Sequence, residues 1–92
     1  MKWEVRQTNR FARVYKRLND STAFAVDKAV SAITANPEIG EKKQGDLAKL
    51  WVYKFKHQGV LYLLGYTKDR DICIIYLEAI GPHENFYRDL KN

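Results

Sequence analysis

Three observations predict a single small α+β domain. Two amphipathic helical stretches lie back to back near the N-terminus, three alternating apolar stretches follow them, and nothing between has the length or composition of a linker. A chain of 92 residues leaves no room for two separate cores, and a hydrophobic content of 46% is enough for one modest core.

Lys2–Gln7 reads as a short strand in which Trp3 and Val5 alternate with Lys2, Glu4 and Arg6. Thr8 is placed to cap a helix over Asn9–Leu18, with Phe11, Val14, Tyr15 and Leu18 on its apolar face. Arg10, Arg13, Lys16 and Arg17 occupy the rest of that helix. Asn19-Asp20-Ser21 interrupts the pattern and offers a second cap. A helix then runs to about Ala35, with Phe24, Ala25, Ala29 and Ile33 lining one side. Asn36-Pro37 ends it, because a residue before proline disfavours helical geometry. Glu38–Gly45 is polar and reads as an exposed connection.

From Leu50 the apolar period falls to two. Trp51, Tyr53 and Phe55 point one way, beneath the helices, and Val52, Lys54 and Lys56 point the other. His57-Gln58-Gly59 is a hairpin turn, Val60–Tyr66 the next strand and Thr67–Asp71 the next turn. Asp71–Ile80 is the most apolar strand and is expected at the centre, with Cys73 buried in it. Gly81-Pro82 terminates it, and His83–Leu90 forms a short final helix. The expected order is β-α-α-β-β-β with a C-terminal helix: a helix hairpin on one face of a mainly antiparallel sheet, the other face left largely open.

The charge balance narrows the function. There are 16 Lys and Arg against 11 Asp and Glu, a net +5 and a pI near 9.4. Such an excess attracts polyanions, nucleic acid above all, or an acidic protein. One cysteine excludes an intrachain disulfide and a cysteine-only zinc site, which fits a reducing compartment. The N-terminus begins too polar for a secretory signal, and no apolar run approaches membrane-spanning length, so the expectation is a cytoplasmic protein without membrane attachment. P-loop, dinucleotide-binding and nucleophile-elbow patterns are absent, and no cofactor is expected.

The candidate chemistry lies on the open face. Lys54 and Lys56 share it, and two neighbouring ammonium groups are easiest to explain with an anion between them, although the same pair also serves to keep a sheet face wet. His57 at the strand end is a further candidate, though it reads first as a turn residue; His83 and Tyr87, four apart on one side of a helix, are candidates to join them. Histidine moves protons near neutral pH, and lysines offset charge that develops on a phosphoryl group. Arg10, Arg13 and Arg17 serve either as a solvated helix face or as RNA backbone contacts.

The chain resembles the RelE/ParE superfamily of bacterial type II toxins over nearly its whole length. The resemblance rests on the early strand followed by Phe11 and Arg13–Leu18, on Asn36-Pro37 and Gly40, and on Gly45-Asp46-Leu47. It continues through Val52-Tyr53-Lys54-Phe55-Lys56 and Ala79-Ile80-Gly81 running into His83–Tyr87. It implies a cognate antitoxin and one of two activities. RelE-like members cleave messenger RNA in the ribosomal A site by 2′-hydroxyl attack without a metal, whereas ParE-like members poison DNA gyrase. Similarity at Lys54, Lys56 and Tyr87, with His83 nearby, implies the nuclease side. One departure is clear: Tyr62 stands where RelE-like nucleases carry an arginine. Lys54 and Lys56 then carry the phosphate, assisted by Arg88 or Lys68, while the assignment of base and acid stays open. A basic nucleic-acid-binding module without toxicity is the third reading.

Overall fold

The computed structural model describes residues 2–91; Met1, with which the polar N-terminal run begins, and Asn92 lie outside it. The elements are β1 (Glu4–Gln7), α1 (Asn9–Lys16), α2 (Asp20–Ala35), β2 (Glu41–Lys42), a single 3-10 turn (Gly45–Leu47), β3 (Trp51–His57), β4 (Val60–Asp69), β5 (Ile74–Pro82) and α3 (His83–Lys91). The strands form one sheet in the order β1-β5-β4-β3-β2, parallel between β1 and β5 and antiparallel elsewhere. The predicted order of elements is thus observed, with β2 and the 3-10 turn added inside the polar connection.

Both helix starts follow from their caps. Thr8 accepts the Phe11 N–H at 3.2 Å, and Asn19 accepts the Thr22 N–H at 2.8 Å, each satisfying a donor that the first turn leaves free. α1 stops at Lys16, two residues before the expected end. Arg17 and Leu18 donate to Val14 and Tyr15, three residues back, and Asn19 turns extended to cap α2. The buried stripe of α2 is Thr22, Val26, Ala29 and Ile33. Phe24, expected in that stripe, is 61% exposed, since at ~100° per residue it stands nearly opposite Thr22 and Val26.

The main core lies between the helix pair and one sheet face. Phe11, Val26, Ala29 and Ile33 meet Leu64, Tyr66, Ile75, Leu77 and Ile80, with Trp51, Tyr53 and Phe55 packed at its edge. Tyr66 is fully buried, and its hydroxyl donates to the Pro37 carbonyl at 2.8 Å and accepts the Gly40 N–H at 3.0 Å. That pair of bonds ties the connection after α2 to the centre of the sheet. Only glycine permits the approach, because a Cβ on Gly40 would lie 2.7 Å from the Tyr66 oxygen.

A second, smaller core lies on the opposite face. There Leu50, Val52, Leu63 and Ala79 receive Phe86 of α3, with Leu47, Leu61, Tyr87 and Leu90 around them. The expectation of a largely open face is therefore corrected: α3 covers its Leu50–Val52 end and leaves Lys54 and Lys56 exposed. Phe86 fits because Gly65 lies opposite Val52 and Ala79 in the sheet, and a Cβ there would come within 2.9 Å of the ring.

Further boundaries differ from expectation: β1 begins at Glu4 and not at Lys2. β4 runs on to Asp69, whose carboxylate accepts the Asp71 N–H at 3.0 Å and so moves the turn to residues 70–73. Cys73 belongs to that turn at φ 53 and is half-exposed, not buried in a strand. β5 is interior, flanked by β1 and β4, but the middle strand of the five is β4. β5 also continues through Gly81-Pro82, which pair with Leu63 and Tyr62, and passes directly into α3. The β3–β4 turn is Gln58-Gly59 with both φ values positive (51 and 78), the geometry that matches strand twist in a two-residue hairpin.

Burial raises the Tyr66 phenol above its ordinary value of 10.0, partly opposed by the Gly40 N–H, with Glu38 adding to the rise. The neutral ring is therefore favoured in the fold. Its contribution is whole below pH 10 and is lost as pH rises through the folded value. Tyr66→Phe is expected to cost about 1–3 kcal/mol in urea unfolding, since it leaves the Gly40 N–H without its acceptor. It should also flatten the fall in stability above pH 10 that the raised Tyr66 phenol predicts for the wild-type chain.

Candidate functional site

The face bearing Lys54 and Lys56 is set by the β3 ladder. Lys54 pairs with Leu63 and Lys56 with Leu61, and both lysines are exposed. Leu63 in turn pairs with Gly81, so the row from Lys54 across the sheet reaches the strand end from which α3 departs two residues later. His83 is exposed in the first turn of α3, and Tyr87 follows one turn on. Tyr87 is half-buried on the small core, edge-on to Phe86 at 5.1 Å between ring centroids. Lys54, Lys56 and Tyr87 thus belong to one face, with His83 at its margin.

Two residues that the sequence pattern did not single out complete this face. Lys43 donates a backbone bond to the Leu50 carbonyl, and its ammonium lies 5.5 Å from the centre of the Tyr87 ring. Its side chain also pairs with Glu41. Hydrogen bonds first to Glu41 and then to Tyr87 hold the Lys43 ammonium above its ordinary value. The same pairing holds the Glu41 carboxyl below the usual carboxylate range, with the Lys54 charge contributing further. A stretch as polar as Glu38–Gly45 carries no period, so only the i, i+2 spacing of Glu41 and Lys43 hinted at a shared side.

His57 and Tyr62 are not on this face. Alternation that sends Lys54 and Lys56 one way sends Phe55 and His57 the other, and Tyr62 pairs with Phe55. Tyr62 stacks on Phe55 at 5.7 Å, and His57 lies 3.2 Å from the Ser21 hydroxyl of α2. His57 lines a cleft of about 380 Å³ with Phe24, Lys28, Tyr53 and Phe55. Lys68 is also elsewhere: its side chain is 9% exposed, 4.7 Å over the Trp51 ring and paired with Glu38. It cannot assist Lys54 from there. Arg88 is on the outer side of α3, bonded to Asn85 at 2.8 Å. Arg10 donates to the Leu90 carbonyl at 3.0 Å and so fastens α1 to the last turn of α3, where a cation is favoured. Arg13 and Arg17 are exposed.

Among the described residues no three His, Cys, Asp or Glu side chains gather into a metal site, and no helix is long and apolar enough to cross a membrane.

A basic face built on a five-stranded sheet, capped by a short helix and backed by a helix hairpin, defines the class of small RelE/ParE-fold proteins. Residues 5–91 match the family of ParE-like toxins of type II bacterial toxin–antitoxin systems, and the chain belongs to that family within the RelE/ParE superfamily. Among solved structures it is similar to a mutant E. coli RelE toxin in the free state, with a TM-score of 0.77, 14% identity and coverage of 99% of this chain and 92% of that one. It is also similar to a chain of the RelBE2 toxin–antitoxin complex of Mycobacterium tuberculosis (TM-score 0.74, 20% identity, 90% and 100% covered). A third likeness is to the intact E. coli RelBE toxin–antitoxin complex (TM-score 0.71, 15% identity, 86% and 94% covered). No curated protein matches in sequence.

The Arg10 contact predicts a measurable fastening of α3. Arg10→Ala should raise amide hydrogen exchange across the last turn of α3 by about tenfold or more, as expected when a charge-assisted bond worth about 1.5–3 kcal/mol is lost. Exchange in the β3–β4 hairpin should not change.

Proposed function

We propose that this chain is the toxin of a type II toxin–antitoxin pair and acts as a ribosome-dependent, metal-independent endoribonuclease on translated messenger RNA. The observation that carries the reading is that Lys54, Lys56 and Tyr87 share one sheet face, with His83 where α3 leaves it. The 2′-hydroxyl of the RNA attacks the adjacent phosphorus and gives up its proton. A new bond closes a 2′,3′-cyclic phosphate, the bond to the 5′ oxygen breaks, and that oxygen takes up a proton. Lys54 and Lys56 offset the charge gathering on the phosphoryl oxygens, the task that a metal ion performs in other nucleases. His83 and Tyr87 are the groups for proton movement and substrate placement. Either Lys54 or His83 accepts the first proton; a lysine does so only where its surroundings lower its pKa. The ribosome supplies the orientation that so sparse a site lacks.

Arg88, and more remotely Arg13 and Arg17, are available for backbone contacts to RNA. A cognate antitoxin is the expected protein partner, supported by the similarity to chains solved in toxin–antitoxin complexes. Its acidic segment would cover the basic surface and keep the ribosome from it. The site of action is the cytoplasm.

A second reading is favoured by two specific observations: the ParE-like family match, and a lysine face to which β4 presents Leu61 and Leu63 and no arginine. Under it the chain inhibits DNA gyrase by protein contact and has no nuclease activity.

A translation assay with mapped RNA ends separates the two. Lys54→Ala and His83→Ala are each expected to slow cleavage by about 100-fold or more while the circular dichroism spectrum is retained. Cleavage indifferent to both changes, or supercoiling inhibition without cleavage, would sink the nuclease reading.

A further inference from the structure

We infer that Lys43 and Lys54 form a binding site for an RNA phosphodiester in which the Glu41 carboxylate stands in for the substrate. The inference rests on the lysine face being the RNA face. It assigns a role to residues outside the Lys54, Lys56, His83 and Tyr87 set.

The placement follows from the ladder. Glu41 lies directly across from Val52 on the edge strand β2, and Lys54 is two residues beyond Val52 on the same side. Diagonal neighbours of this kind stand about 7–8 Å apart, within reach of two long side chains. On its other flank Glu41 pairs with Lys43. Lys43 is itself held in place, its side chain only 22% exposed and its ammonium 5.5 Å from the Tyr87 ring centre. The cation is fixed and the anion is not, since the Glu41 side chain is 61% exposed on a strand of two residues.

That asymmetry makes Glu41 displaceable. An exposed ion pair holds weakly against water and salt, whereas a phosphate can bridge two ammonium groups at once. Lys43, Lys54 and Lys56 then form a cationic track across the face, the arrangement that follows a nucleic-acid backbone of repeated charge. RNA fits such a track because it brings a phosphate at every nucleotide, whereas an acidic protein segment must space its carboxylates to match. Until RNA arrives, Glu41 keeps two like charges from repelling across the site.

The test uses a short fluorescent RNA methylated at every 2′-oxygen, which binds without being cleaved, with affinity followed across a salt series. Glu41→Gln is expected to tighten binding by roughly 3–10-fold, because a competitor is removed. Lys43→Gln should weaken it by a similar factor and reduce the slope of log affinity against log salt by about 0.7, the value for one phosphate contact on a single strand. Lys43→Arg should keep the wild-type slope, which separates loss of charge from loosening of α3. If Glu41→Gln weakens binding or leaves it unchanged, or if Lys43→Gln alters neither affinity nor slope, the site is not as inferred. Tightening toward an acidic peptide but not toward RNA would give the site to a protein partner and overturn the inference equally. Because the probe cannot be cut, a chain that shows the expected binding pattern and cleaves nothing in translation loses the nuclease reading while keeping this site.

Discussion

The seating of Phe86 against Gly65 decides where the last helix of this protein lies. The contact is close enough that a single added carbon on Gly65 would collide with the ring. Phe86 is 3% exposed, and with it in place Tyr87 is turned edge-on beside it, against Lys43. The small core is thus a packing device with a chemical outcome: an apolar residue locates the polar one that follows it. α3 is held further by Tyr87 and Leu90 on the same small core, by the direct passage from β5 and by the Arg10 bond to Leu90. Isolated helices of this length are marginal in water, so tertiary contact supplies most of its order.

The division of the sheet into two faces follows from one strand. β3 places Trp51, Tyr53 and Phe55 toward the helices and Val52, Lys54 and Lys56 away from them. The aromatic row belongs to the edge of the larger core, so a slip of one residue would bury both lysines and expose three rings. The register that packs the core is therefore the register that presents the cations. Electrostatics then adjusts what packing has positioned, through a buried-side lysine and an exposed carboxylate on the adjoining edge.

Much of this was legible in the sequence because it depends on local rules. Thr8 and the group Asn19-Asp20-Ser21 announced both helix starts, Asn36-Pro37 marked the end of α2, and alternation from Trp51 gave β3 and the face of Lys54 and Lys56. What was missed depends on contacts remote in the chain. β2 is two residues in a polar stretch and exists only because Trp51 and Val52 pair with it. Phe24 looked like core by hydrophobicity, but its angular position on α2 faces water. Cys73 looked buried because its neighbours are apolar, yet the Asp69 carboxylate draws the chain into a turn before β5 begins. His57 was grouped with the lysines by nearness in sequence, when period two alone sends it to the other side.

The parallel pairing of β1 with β5 joins Glu4 to Ile74, 70 residues further on (74 less 4). The Thr8 hydroxyl, which starts the first helix, also reaches forward to the Leu77 carbonyl. During synthesis the N-terminal elements therefore wait until β5 has been made, and the sheet closes late. A nascent copy lacking β5 leaves β1 without its partner strand and the Thr8 hydroxyl without the carbonyls it reaches for.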